Sequence, residues 1–245
     1  MKLPDPPMCG LDGCESEDRP SGATTPLAAA GSALRLEVVS DIICPWCYVG
    51  KRRLEEALML VASDAPVTVT WRPFELNPTM PAGGLDRREY RTRKFGSWER
   101  SRQLDAEVAA AGAEDGLAFH HDRILRTPNT FDAHRLVWLA GHEGFQTQLV
   151  EDLFRAYFVE GRDVGDRAVL ADVAVAAGAS RPPIETFLGG DGGAAEVRQE
   201  EEALRRLGIN GVPTVLAHGR PLFSGAQRTQ LMASAIRESI HGLRH

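Results

Sequence analysis

The chain has no apolar run near the roughly 18 residues that a membrane-spanning helix requires, and no long block of lysine and arginine. The first absence argues against a membrane span. The second removes the electrostatic case for nucleic acid or an anionic bilayer as the main partner. The charges sum the other way, 28 Lys and Arg against 34 Asp and Glu, a formal −6. The first twenty residues lack the apolar stretch of a secretory signal and carry Asp5, Asp12, Glu15, Glu17 and Asp18 instead. A cytoplasmic location is the expectation. Cysteine is scarce as well, four in 245 residues, and in a reducing compartment such thiols serve catalysis or metal binding more often than stapling.

What is present is the composition of a soluble globular protein, 43% apolar and 25% charged. The length suits one large domain or a domain with a substantial insertion. Residues 1–33, rich in Pro, Gly, Ser, Thr and Asp, have no periodicity and read as a flexible tail. Order is expected to begin at Leu34, which opens a buried strand. A helix to about Ala62 should follow, with Leu54, Leu58 and Val61 on one face, and then a β-branched strand, Val67 to Trp71. From about Asp86 to Gly190 the pattern is mostly helical, including Asp105–Ala111, Thr130–Glu143, Phe145–Val159 and Ala168–Ala177. Asp166 is placed to cap the last of these. A further helix over Ala194–Leu207, strands near Val212–Ala217 and Leu222–Ser224, and a final helix over Arg228–His241 complete the chain. The fold class is α/β. The order matches a thioredoxin core, 34–85 and 191–245, split by an inserted helical domain, 86–190.

Cys44-Pro45-Trp46-Cys47 sits where the first strand turns into the first helix. A C-x-x-C pair at such a junction is a dithiol redox signature. The free N–H groups and the positive dipole end of a helix N-terminus stabilise a thiolate there. The second cysteine, nearly one turn on, is close enough to resolve a mixed disulfide made by the first. Cys44 is read as the attacking, more exposed sulfur and Cys47 as the buried resolving one, with Pro45 and Trp46 between them facing substrate.

Ser40 to Gly50, Trp71 to Pro78, Pro128 to Arg135, Leu153 to Phe158, Gly208 to Pro213 and Ser224 to Gln227 follow one another in order. Together they resemble the FrnE-like branch of the DsbA family of thiol–disulfide oxidoreductases over about residues 34 to 240. The resemblance implies a thioredoxin fold with an inserted helical domain, and disulfide oxidoreductase or isomerase activity on protein disulfides and dithiols. It implies no bound cofactor, with glutathione able to act as reductant. It also implies a cis Val212–Pro213 bond, placing the residue 212 backbone beside the cysteines to pair with extended substrate. The Pro-Trp dipeptide lacks the histidine of the strongest oxidants in the wider family, so a milder oxidant is expected.

Other residues admit plainer readings. Asp41, three residues before Cys44, suits a proton relay for Cys47, but a turn or helix cap is the favoured role. Glu75 is an acid inside an apolar segment with nothing to place it. Asn129, Phe131 and His134 suit either the cleft or the core, and His120 and His121 are read as surface. Cys9 and Cys14 lie in the acidic tail and admit three readings: a second redox pair, zinc ligands together with Cys44 and Cys47, or solvated thiols without a role. No metal site is assigned. Two other functions compete. One is a glutathione-dependent isomerase or transferase of the kappa-like branch, including 2-hydroxychromene-2-carboxylate isomerases, against which a cysteine rather than serine at position 44 counts. The other is a redox-independent chaperone or metal-binding module.

Overall fold

A computed structural model describes residues 33–242; Cys9 and Cys14 lie outside them. Strand β1 (Leu34–Ser40) is buried along most of its length, as its Leu-x-Leu-x-Val-Val pattern requires of a central strand. It pairs in parallel with β2 (Val67–Pro73) on one side. On the other it pairs antiparallel with β5 (Thr214–Ala217), which pairs antiparallel with β6 (Arg220–Ser224). The resulting order, β2-β1-β5-β6, is the expected thioredoxin arrangement of strands.

Helix α1 (Pro45–Val61) connects β1 to β2 and starts two residues earlier than Cys47, because Pro45 needs no donor at the first helical position. It buries Val49, Leu54, Ala57 and Val61 and packs on α9 (Thr229–Gly242), which buries Met232, Ala233, Ile236 and Ile240. Its opposite flank is held by Glu151 of α5 (Gln146–Phe158). That carboxylate accepts from Tyr48 Oη at 3.0 Å and from the buried Lys51 Nζ at 2.5 Å. Lys51 is paired rather than solvated, which is the condition for keeping an ammonium inside.

Seven helices lie between β2 and β5 in sequence: α2 (Arg87–Phe95), α3 (Trp98–Glu114), α4 (Phe131–Glu143), α5, α6 (Arg167–Ala176), α7 (Arg181–Gly189) and α8 (Ala194–Arg206). A short antiparallel pair, β3 (Leu85–Asp86) with β4 (Arg126–Thr127), and a 3-10 turn at His121–Arg123 join them. Asp86, Ser97 and Asp166 cap α2, α3 and α6 by accepting N–H groups of the first turn. Helix α7, not singled out from sequence, forms despite Pro182-Pro183 because prolines are tolerated in a first turn, where N–H groups have no partner anyway.

Gln146 ties this helical region to the sheet. Its Oε1 accepts from Trp71 N at 2.9 Å, and its Nε2 donates to Trp71 O at 3.1 Å. The side chain thereby satisfies the free edge of β2 as a neighbouring strand would.

Candidate active site

The turn from β1 into α1 is built on Asp41, which is fully buried. Its carboxylate accepts from Leu76 N at 2.8 Å and more weakly from Ile43 N at 3.4 Å, while its carbonyl accepts from Cys44 N at 3.0 Å. The favoured reading of Asp41 as a turn former is met, but the residue does more than that. His134 Nε2 of α4 lies 3.4 Å from Asp41 Oδ1, and both side chains are inaccessible to solvent. Burial works against the charged imidazole, yet Asp41, with Glu75 and Glu201 beyond it, outweighs burial and raises the His134 pKa.

Glu75 belongs to the same cluster. Its carboxyl is pushed up to about 7, chiefly by burial and further by the charges of Glu201 and Asp41, with His134 opposing. Glu201 Oε1 accepts from Glu75 N at 2.6 Å and from Arg205 Nη2 at 2.7 Å, and Arg205 also donates to Glu75 O. Four ionisable groups from the β1 turn, the segment after β2, α4 and α8 thus meet in the interior. Sequence spacing gave no sign of this meeting.

Cys44 is the N-cap residue of α1, in extended conformation, and Cys47 N donates to its carbonyl at 3.0 Å. Both cysteines are free thiols. The expected order of exposure holds only narrowly, 5% for Cys44 and 1% for Cys47; Trp46, at 42%, is the open member of the motif. Burial raises the Cys47 thiol pKa well above its ordinary value. Cys44 adds to the shift, and the Ser40 hydroxyl and Asp41 backbone oppose it. The chemical consequence is that the Cys47 thiol is held in its protonated form.

The Val212–Pro213 bond is cis, and Cys44 Sγ donates to Val212 O at 3.7 Å. Gly50, one turn beyond Cys47, permits this approach: a Cβ there would stand 3.0 Å from Pro213 Cγ. The residue-212 segment borders a groove of about 450 Å³ that includes Asn210, Gly211 and Pro213. An extended chain laid there would meet backbone polar groups beside the dithiol.

A second cavity, of about 100 Å³, adjoins the other side of the motif at Ile43 and Pro45. His121, expected at the surface, lines it. Phe119 and Phe158 pack around the ring at 5.2 and 6.1 Å, and burial lowers its pKa to about 4. Asn129 and Phe131 do not reach this cavity. They line a separate pocket of about 300 Å³ with Glu75, Asp132, Arg167 and Arg198. Asn129 shapes the start of α4 by accepting from Phe131 N at 2.9 Å. Among the described residues, no group of three or more His, Cys, Asp and Glu is placed to hold a metal ion, and no helix is long and apolar enough to cross a membrane.

A family model described as the DSBA-like thioredoxin domain matches residues 35–237. The structure is similar to that of a probable DsbA oxidoreductase from Streptomyces coelicolor. Identity is 34%, coverage is 84% of this chain and 89% of that one, and the TM-score is 0.78. A putative protein disulfide isomerase from Nitrosomonas europaea shares the fold at 17% identity, with 86% and 98% of the two chains covered and a TM-score of 0.68. The Bacillus subtilis protein YwbO is 30% identical over 146 residues, 58% of this chain, and the match spans 64% of that relative's length.

Proposed function

The chain belongs to the DSBA-like thioredoxin domain family, and on that premise we propose that it is a thiol–disulfide oxidoreductase exchanging disulfides with protein substrates through Cys44 and Cys47. The observation that carries this reading is the junction itself. Cys44 occupies the N-cap position of α1, its Sγ directed at the Val212 carbonyl, and the buried, protonated Cys47 lies one turn away.

The Cys44 thiolate attacks a substrate disulfide, a bond forms between the two sulfurs, and the second substrate sulfur leaves as thiolate. Cys47 then gives up its proton and attacks Cys44 Sγ. The Cys44–Cys47 disulfide forms and the substrate leaves reduced by two electrons. The reverse sequence oxidises a substrate dithiol. Because Cys47 is shut off from solvent, its proton needs an internal acceptor. We assign it to Asp41, whose backbone acts on the Cys47 thiol and whose carboxylate lies 3.4 Å from His134 Nε2. Electrons pass through the sulfurs alone, and a small thiol such as glutathione regenerates the dithiol in a reducing compartment.

The test is a pair of substitutions. Cys44→Ser should reduce insulin disulfide reduction to the uncatalysed rate, and Cys47→Ala should accumulate substrate joined covalently to Cys44, visible by mass and released by reductant. Full activity in Cys44→Ser would overturn the reading and favour a redox-independent role.

A further inference from the structure

The cavity beside the motif is walled by Ile43, Pro45, Asn77, Arg87, Arg91 and Lys94, and no carboxylate lines it. Ile43 and Pro45 are the chain neighbours of Cys44, so the space adjoins the residue that carries the attacking sulfur. Asp105 lies behind the wall and serves two of the cations, Arg87 Nη2 at 2.8 Å and Arg91 Nη2 at 2.7 Å. Lys94 Nζ donates only to neutral oxygens, Tyr90 Oη at 2.8 Å and Asn77 Oδ1 at 3.4 Å. One carboxylate between two of these three cations, and none on the third, leaves an excess of two positive charges among the described residues. Their crowding registers on Arg91, whose pKa is lowered by burial and by Arg87 against the pull of Asp105.

Two of the lining residues each carry a polar atom without a partner. Asn77 Nδ2 and His121 Nε2 are buried without a hydrogen-bond partner. Buried donors and acceptors are normally paired, and one left open at a cavity wall marks a place for a ligand atom. The remaining wall includes Phe95 and Phe158, which suits an aliphatic arm. Excess cations, an open amide donor and apolar flanks are the recognition chemistry of a carboxylate on a short arm.

We propose that this cavity binds a carboxylate carried by the molecule that forms the mixed disulfide with Cys44. The proposal rests on the exchange chemistry above and narrows its substrate to acids, either a small thiol acid or a protein cysteine with an acidic side chain beside it. The step is balanced by the reagent itself. The Cys44 thiolate attacks one sulfur of R–S–S–R, the Cys44–S bond forms, the S–S bond breaks, and RS⁻ leaves with its electron pair.

Full-length Cys47→Ala protein is reacted with the symmetric disulfides of 3-mercaptopropionate, 2-mercaptoethanol and cysteamine at low ionic strength. Adducts are read by intact mass, and each rate is normalised to that of a neutral reference thiol. The anionic reagent should react about tenfold faster than the neutral one and the cationic one slower, with the preference shrinking as salt rises. Lys94→Gln and Asn77→Ala, each added to Cys47→Ala, should each reduce the anionic-to-neutral ratio several-fold. The Asn77 change removes no charge, so a fall there separates local recognition from the general field. Equal normalised rates, or a preference that survives both substitutions, would overturn the proposal. Absence of adduct with every reagent would overturn exchange at Cys44 and this proposal with it. Cysteine peptides with Glu or Gln beside the disulfide identify the source. A Glu preference equal to that of the small acid assigns a protein side chain, and a preference confined to the small acid assigns a thiol acid.

Discussion

At the cysteine turn, Asp41, His134, Glu75 and Glu201 form a buried cluster in which three carboxyl groups share one imidazole and the Arg205 guanidinium. Next to the same turn, Arg87, Arg91 and Lys94 line a cavity with two positive charges left over. Both sets are rich in ionisable groups and Arg87 is as buried as Glu75, yet the first has no exposed member and the second ends in the exposed Lys94. The closed cluster must settle its own electrostatics, so removing a member leaves a buried partner uncompensated. The cationic wall carries part of its surplus on Lys94, where an incoming anion or salt can reach it. The first arrangement suits a proton handled internally and the second suits recognition.

The largest effect expected from this contrast is on stability. Asp41→Ala strips the Leu76 N–H of its acceptor and His134 of the carboxylate 3.4 Å away at once. It should cost about 3–5 kcal/mol in urea unfolding at neutral pH, the usual penalty for breaking a buried charged pair. A loss below about 1 kcal/mol would mean that the cluster relaxes or admits water, and the contrast between closed and open sides would collapse.

Glu75→Gln sharpens the comparison through pH. A carboxyl whose folded pKa is raised to about 7 from an ordinary 4.5 contributes stability that is fully present below about 4.5 and lost as pH rises through about 7. Glutamine does not ionise, so the variant should match the wild type at pH 4.5 and exceed it by about 1–2 kcal/mol at pH 8. That figure lies below the full linkage value because His134, Asp41 and Glu201 all act on this group and share the shift. Chemical denaturation at the two pH values measures it, and a pH-independent difference would remove Glu75 from the titrating cluster.

The smallest effect belongs to the open side. Lys94 is exposed and makes no ion pair with a described carboxylate. Lys94→Gln should therefore change unfolding free energy by no more than about 0.5 kcal/mol while shifting the preference for anionic disulfides. A large loss of stability would make Lys94 part of the frame rather than of a recognition surface.

The legible parts of this protein were those fixed by neighbours in sequence. β1 declares itself by its apolar run, α1 by the spacing of Leu54 and Val61, and α6 by the Asp166 cap. The motif cysteines declare themselves by lying at a strand-to-helix junction. Residues whose roles depend on distant chain were misread or unreadable. His121 looked like surface because a His-His pair is polar, and only the packing of Phe119 and Phe158 encloses it. Glu75 had no visible partner because His134 and Glu201 reach it from α4 and α8. Gly50 carries no local signal at all; its need for a missing side chain appears only when Pro213 is beside it.

The sequence by itself determined the order of the strands and helices of the thioredoxin core and the pair of sulfurs at the head of α1, though not α7 or the β3–β4 pair, because these core features follow from short-range pattern, capping and turn chemistry. Only the tertiary structure decided which ionisable groups share a low-dielectric interior and which face an open cavity. Those energies depend on distance through space and on access to water, which spacing along the chain does not encode.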